Sequence, residues 1–80
     1  MKERIIEIIV RHSEMEGVKE YLQNNDDLEP LKINSIDFIK MVVDFETEFD
    51  VFFDDDALSY ANFLSLEVLC NYINGLIENE

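Results

Sequence analysis

Apolar residues recur at three- and four-residue spacing in three segments of this chain, and this spacing predicts three amphipathic α-helices. The first covers residues 2 to about 16, and Gly17 stands where its C-terminal end is expected. The second covers residues 35–49. The third begins after Ser65, a residue type that favours the N-cap, and ends in the polar tail of residues 78–80. The predicted inward positions are Ile5, Ile6, Ile9 and Val10, then Phe38, Met41, Val42, Phe45 and Phe49, then Leu66, Leu69, Cys70, Ile73, Leu76 and Ile77.

The two segments between these helices predict different structures. Residues 17–34 scatter apolar side chains among Asn, Asp and Pro, which predicts a long ordered loop that reaches the core and contains at most one short turn of helix. Acidic residues directly before Ala57 suit the positive end of a helix, so a short helix is expected around residues 55–61. The predicted fold is therefore all-α: a small four-helix bundle of three longer helices and one short helix, in a single domain over residues 1–80.

The net charge of the chain argues against some classes of binding partner and favours others. Nineteen Asp and Glu against six Lys and Arg give a net charge of −13, which would repel nucleic acids and anionic membrane surfaces. The same charge favours docking onto proteins with basic patches, although acidity also serves simply to keep a small domain in solution. Cys70 is the only cysteine and no apolar run is long enough to span a bilayer. We expect a cytoplasmic monomer without membrane insertion.

The residue inventory argues against an enzyme. A single histidine, His12, and a single cysteine on an apolar helix face leave little for nucleophilic or acid–base catalysis. We expect His12 to be solvated or to face the negative end of the first helix. The run Asp54-Asp55-Asp56 lacks the alternating ligands and the central Gly of a calcium loop, so no metal site is expected.

Ser35 opens the second predicted helix. On its position alone, a serine there is most simply an N-cap. A phosphodiester on its hydroxyl would, however, lie at the helix N-terminus, where free N–H groups and the helix dipole favour an anion. The long loop before it would leave room for a modifying enzyme.

The stretch LKINSID at residues 31–37, followed by FETEFD at residues 45–50, resembles the acyl carrier protein family. Members of that family place an Asp-Ser-Leu motif at the start of their second helix and a Glu-x-Glu-Phe-like end on it. The resemblance covers nearly the whole chain. It implies a carrier-type bundle in which Ser35, flanked by Asn34 and Ile36, bears a covalent 4′-phosphopantetheine from coenzyme A, whose thiol carries substrate as a thioester.

The resemblance also implies a set of partners. These are a phosphopantetheinyl transferase, an acyl- or aminoacyl-loading enzyme and downstream synthases. Docking would use the outward side of the second predicted helix and its charged rim. The alternative is that the apolar members of this set only widen the core stripe. The implied docking residues are Ile36, Asp37, Ile39, Lys40, Val43 and Glu46.

Three positions depart from the family pattern. Asn34 replaces the usual Asp before the serine, Lys32 stands where Gly is common, and Lys40 places a positive charge where carriers of fatty acid synthesis usually have an acid. These departures favour a dedicated carrier of a nonribosomal-peptide or polyketide-like pathway. Two alternatives stay open: a housekeeping acyl carrier protein of fatty acid synthesis, and an unmodified protein-interaction module with the carrier fold.

Overall fold

The computed structural model describes residues 2–13 and 15–78, and within them the chain is a small all-helical bundle, as predicted. Four α-helices follow one another: α1 (Lys2–His12), α2 (Val18–Asn24), α3 (Ser35–Phe49) and α4 (Leu66–Glu78). Single 3₁₀ turns lie at Glu29–Leu31, Asp55–Ala57 and Tyr60–Asn62. Glu14 of the predicted first helix and the tail residues Asn79 and Glu80 lie outside the described residues.

Helix α1 is shorter than predicted and ends at His12. The Ser13 hydroxyl accepts a hydrogen bond from the Met15 N–H at 3.2 Å, so a local turn replaces the next helical bonds. The prediction for Val10 was wrong, because Val10 is exposed while Ile8 is buried. Helix α1 packs against both α2 and α3, and two neighbours bury a wider face than a single stripe.

Residues 17–34 contain more helix than the one short turn that the sequence predicted, because α2 spans seven residues there. Val18 and Leu22 are buried one helical turn apart, and Gly17 precedes the helix in a left-handed conformation with φ of 73°. This conformation suits glycine, which has no Cβ to clash. The short α-helix of the bundle is thus the second element rather than the third.

The helix expected around residues 55–61 is instead two separate 3₁₀ turns. Asp55 and Asp56 are exposed, Leu58 is exposed as well, and the segment has no repeating apolar face to pack. Asp is also a poor helix former inside a helix. The buried aromatic side chains on either side, Phe53 and Phe63, hold this segment against the core.

Helix α3 supplies the centre of the core, and its inward stripe is confirmed. Phe38, Met41, Val42 and Phe45 are buried, and Phe49 packs against them half-buried. Burial of four large side chains on one helix fixes which of its faces points outward.

Three ion pairs join α1 to α3. Arg4 lies 2.7 Å from Glu48, and Arg11 lies 3.5 Å from Asp44. His12 lies in the last turn of α1, as expected, and its Nε2 lies 2.5 Å from Asp44 Oδ2, a pairing that the sequence did not predict. These contacts link the two helices at the surface, beside the direct packing of α1 on α3.

Helix α4 begins as predicted, with the Ser65 hydroxyl accepting a hydrogen bond from the Val68 N–H at 3.1 Å. The loop before α3 is tied to it, since the Asp26 side chain accepts from the Glu67 N–H at 3.0 Å. Cys70 is half-buried on this helix, and burial raises the pKa of its thiol. Within the described part of the chain, no helix has both the length and the apolar content needed to cross a membrane.

Candidate functional site

The hydroxyl of Ser35 is exposed and free at the first residue of α3. Asn34, with φ of −82° and ψ of 171°, is the N-cap, and its Oδ1 accepts a hydrogen bond from the Asp37 N–H at 2.7 Å. The Asn34 carbonyl also accepts from the Phe38 N–H at 2.9 Å. The expectation that Ser35 caps the helix was therefore wrong by one residue. Among the hydrogen bonds of the described residues, none uses the Ser35 side chain.

The backbone around Ser35 offers donors to an anion. The N–H groups of Ser35 and Ile36 find no acceptor in the described part of the chain, because the first turn of a helix has no intrahelical partner for them. Such free N–H groups, together with the helix dipole, are the usual setting for a bound phosphate. The half-buried carboxylate of Asp37 is the opposing charge in the same turn.

The chain segment directly before Ser35 is ordered. Leu31 and Ile33 are buried, whereas Lys32 between them is exposed and adopts φ of 53°. The Lys32 N–H donates to the Glu29 carbonyl at 3.1 Å, which closes the 3₁₀ turn before the site. Two buried anchors and a closed turn hold the chain just before the serine, so its hydroxyl is presented at a fixed place on the surface.

The outer face of α3 is apolar and begins at the site. Ile36 is 69% exposed, Ile39 42% and Val43 52%. Residues at these spacings lie on one face of a helix, so the alternative that they widen the core stripe was wrong. Lys40 is exposed among them, and the ion pairs of the described residues do not include it.

The two predicted rim acids differ from each other. Asp37 is half-buried in the first turn of α3 beside the site. Glu46 lies near the other end, where its Oε2 accepts a hydrogen bond from the Phe53 N–H at 2.9 Å. One carboxylate oxygen of Glu46 is thus engaged within the chain, where it orders the segment that follows α3.

A surface cavity of about 390 Å³ borders the start of α3. Its lining includes the buried Leu31 and Ile33, and also His12 and Met15 from the end of α1 and the residues after it. Sequence reasoning missed this cavity, because its walls come from the end of α1 and from the loop before α3. Only the packing of α1 on α3 brings them together.

The other candidate groups do not form a site. No group of potential metal ligands occurs among the described side chains, and the carboxylates of Asp54, Asp55 and Asp56 are all exposed. The hydrogen bond with His12 holds the pKa of Asp44 below its usual value, which suits an ion pair that joins two helices.

Comparison with known proteins gives no match: no protein-family model, no curated protein and no solved structure is significantly similar to this chain.

Proposed function

We propose that this chain is a carrier protein that holds acyl, aminoacyl or peptidyl intermediates on a 4′-phosphopantetheine arm attached to Ser35. One observation carries the proposal. The Ser35 hydroxyl is exposed at a helix N-terminus and has no hydrogen-bond partner among the described residues. It makes no capping bond because Asn34 caps the helix. A serine kept only for helix stability would be expected to make the capping bond itself.

The residues around Ser35 fit a phosphodiester. The free N–H groups of Ser35 and Ile36 point along the axis on which an anion is favoured, and exposed Lys32 adds a positive charge nearby in sequence. The arm would supply a thiol for thioester formation, whereas the chain supplies position and solvent access. In this account the chain is not an enzyme but the substrate of partner enzymes.

The outer face of α3 is the proposed docking surface for those enzymes. Ile36, Ile39 and Val43 form an apolar strip directly beside the attachment serine. A partner that covers this strip gains apolar burial and brings its own active site to the arm. An exposed apolar strip lowers the solubility of a folded chain, and a docking role would explain why it is present.

The departures from the family motif become clearer in this arrangement. Asn34 caps as well as Asp would, so its structural role is retained while one negative charge is lost. Lys32 has φ of 53°, a conformation for which Gly is the usual residue. Only Lys40 changes the exposed face of α3, so it is the main support for a specialised nonribosomal-peptide or polyketide-like pathway over a housekeeping carrier of fatty acid synthesis.

The competing function is an unmodified interaction module with the same fold. Such a module would use the α3 strip without any covalent arm. Incubation with coenzyme A and a broad-specificity phosphopantetheinyl transferase separates the two, because a carrier gains the mass of the arm on Ser35 and a module does not. Cargo on protein purified from its own host then distinguishes fatty chains from an amino acid or an unusual acid.

A further inference from the structure

Phe52 exposes 81% of its surface, more than any other large apolar side chain in the described part of the chain. It lies beyond the C-terminal end of α3, whereas Ser35 is at the N-terminal end. At about 1.5 Å per residue, the helix alone places about 21 Å between Ser35 and Phe49. Phe52 is therefore separate from the proposed attachment site.

The backbone before Phe52 is fixed by Glu46. The Asp50 N–H donates to the Glu46 carbonyl and Asp50 adopts φ of 54°, which ends the helix. The Val51 N–H also donates to the Glu46 carbonyl, at 3.2 Å. Val51 is buried, so the chain is anchored immediately before the exposed ring.

The backbone after Phe52 is fixed as well. The Phe53 N–H donates to a Glu46 carboxylate oxygen at 2.9 Å, and the Phe53 ring is buried. The Asp54 N–H donates to the Tyr72 hydroxyl at 3.0 Å. Because both neighbours of Phe52 are buried and bonded, its ring is held outside the core and is presented on an ordered backbone.

An ordered, solvated phenyl ring is the form that an interface anchor takes, since little conformational entropy is lost when it enters a partner. Asp50, Asp54, Asp55 and Asp56 surround it in sequence, are exposed, and take no part in the ion pairs of the described residues. A second copy of this chain, with its own net charge of −13, would be repelled here, and so would an anionic membrane.

We propose that Phe52 is the anchor of a second docking surface. Its ring would insert into an apolar pocket on a partner protein, and Lys or Arg residues would line the edge of that pocket. This inference does not depend on the modification of Ser35. The acids around the ring would pair with the basic rim and raise the association rate, while the ring supplies most of the affinity.

The test places the photo-crosslinking residue p-benzoylphenylalanine at position 52 in the host cell and, as a control, at exposed position 64. A partner protein that crosslinks to position 52 and not to position 64 is identified by mass spectrometry and purified. The Kd between this partner and the chain without the photo-crosslinking residue is then measured. We expect Phe52→Ala to raise this Kd at least about 30-fold, as for an interface hot spot. Leu64→Ala should leave it within about twofold.

Three further readings complete the test. Affinity for the identified partner should fall with added salt, and Ser35→Ala should bind that partner as tightly as the wild type, which separates this surface from the attachment site. Because the ring is solvated, Phe52→Ala should keep the wild-type melting temperature. Crosslinking only to a second copy or to lipid, no crosslinked product, or equal binding of Phe52→Ala would each overturn the proposal.

Discussion

The side chain of Asn34 accepts a hydrogen bond from the Asp37 N–H at 2.7 Å, and this contact caps helix α3. Because Asn34 caps the helix, the adjacent Ser35 hydroxyl has no hydrogen-bond partner among the described residues. Asn34→Ala should therefore lower the free energy of unfolding by about 0.5–2 kcal/mol, whereas Ser35→Ala should lower it by less than about 0.5 kcal/mol. Urea denaturation of both variants checks this. A larger loss in Ser35→Ala than in Asn34→Ala would mean that Ser35 is the structural residue.

The two faces of α3 should respond differently to truncation. Phe45 is fully buried, so Phe45→Ala should cost about 3–5 kcal/mol of stability, enough to unfold much of a chain of this size. Val43 lies two residues earlier and is 52% exposed, so Val43→Ala should cost less than about 1 kcal/mol. Thermal denaturation followed by circular dichroism measures both. Similar losses would show that the helix is rotated relative to the core described here.

The strongly periodic parts of the fold could be predicted from the sequence. The inward stripe of α3 followed from apolar spacing, and its bounds from that spacing together with the helix-start residues Asn34 and Ser35. Helix α2 was missed because Val18, Tyr21 and Leu22 make only one short apolar stripe, directly before a run of Asn and Asp. Local propensity there favours turns, and packing against α1 supplies the missing stabilisation.

The place of Ser35 at the start of α3 was predicted, but the residue that caps the helix was not. Asn34 and Ser35 are both good N-caps, and a pattern cannot tell which of two adjacent residues makes the bond. The pairing of His12 with Asp44 joins residues far apart in sequence, so no local signal reveals it. Phe52 and Phe53 are adjacent phenylalanines, and only the structure shows that one is exposed and the other buried.

The pair between His12 and Asp44 makes the free energy of unfolding depend on pH. The hydrogen bond with His12 lowers the pKa of Asp44 from an ordinary 3.8. The contribution of this carboxylate is therefore complete above its unfolded pKa and is lost as the pH falls through the lowered folded value. Asp44→Asn should cost about 0.5–1 kcal/mol near neutral pH, and this difference from the wild type should vanish in acid. Urea denaturation over a pH series measures it, and a cost independent of pH would contradict the account.

Lys40 should reduce recognition by partners with basic docking faces. Lys40→Glu should raise kcat/KM for modification by a phosphopantetheinyl transferase of fatty acid synthesis about fivefold, since reversal of one exposed charge contributes about 1 kcal/mol. Lys19→Glu makes the same change of charge on α2 and should have a smaller effect. Equal gains in both variants would indicate a response to net charge rather than to the α3 face.

The most direct test of the carrier proposal is intact-protein mass spectrometry after incubation with coenzyme A and a broad-specificity phosphopantetheinyl transferase. The wild type should gain one phosphopantetheinyl group, and Ser59→Ala, which removes another exposed serine, should gain it equally. Ser35→Ala, confirmed as folded by circular dichroism, should gain nothing. Modification of Ser35→Ala, or no modification of the wild type by several transferases, would contradict the proposal that Ser35 carries the arm.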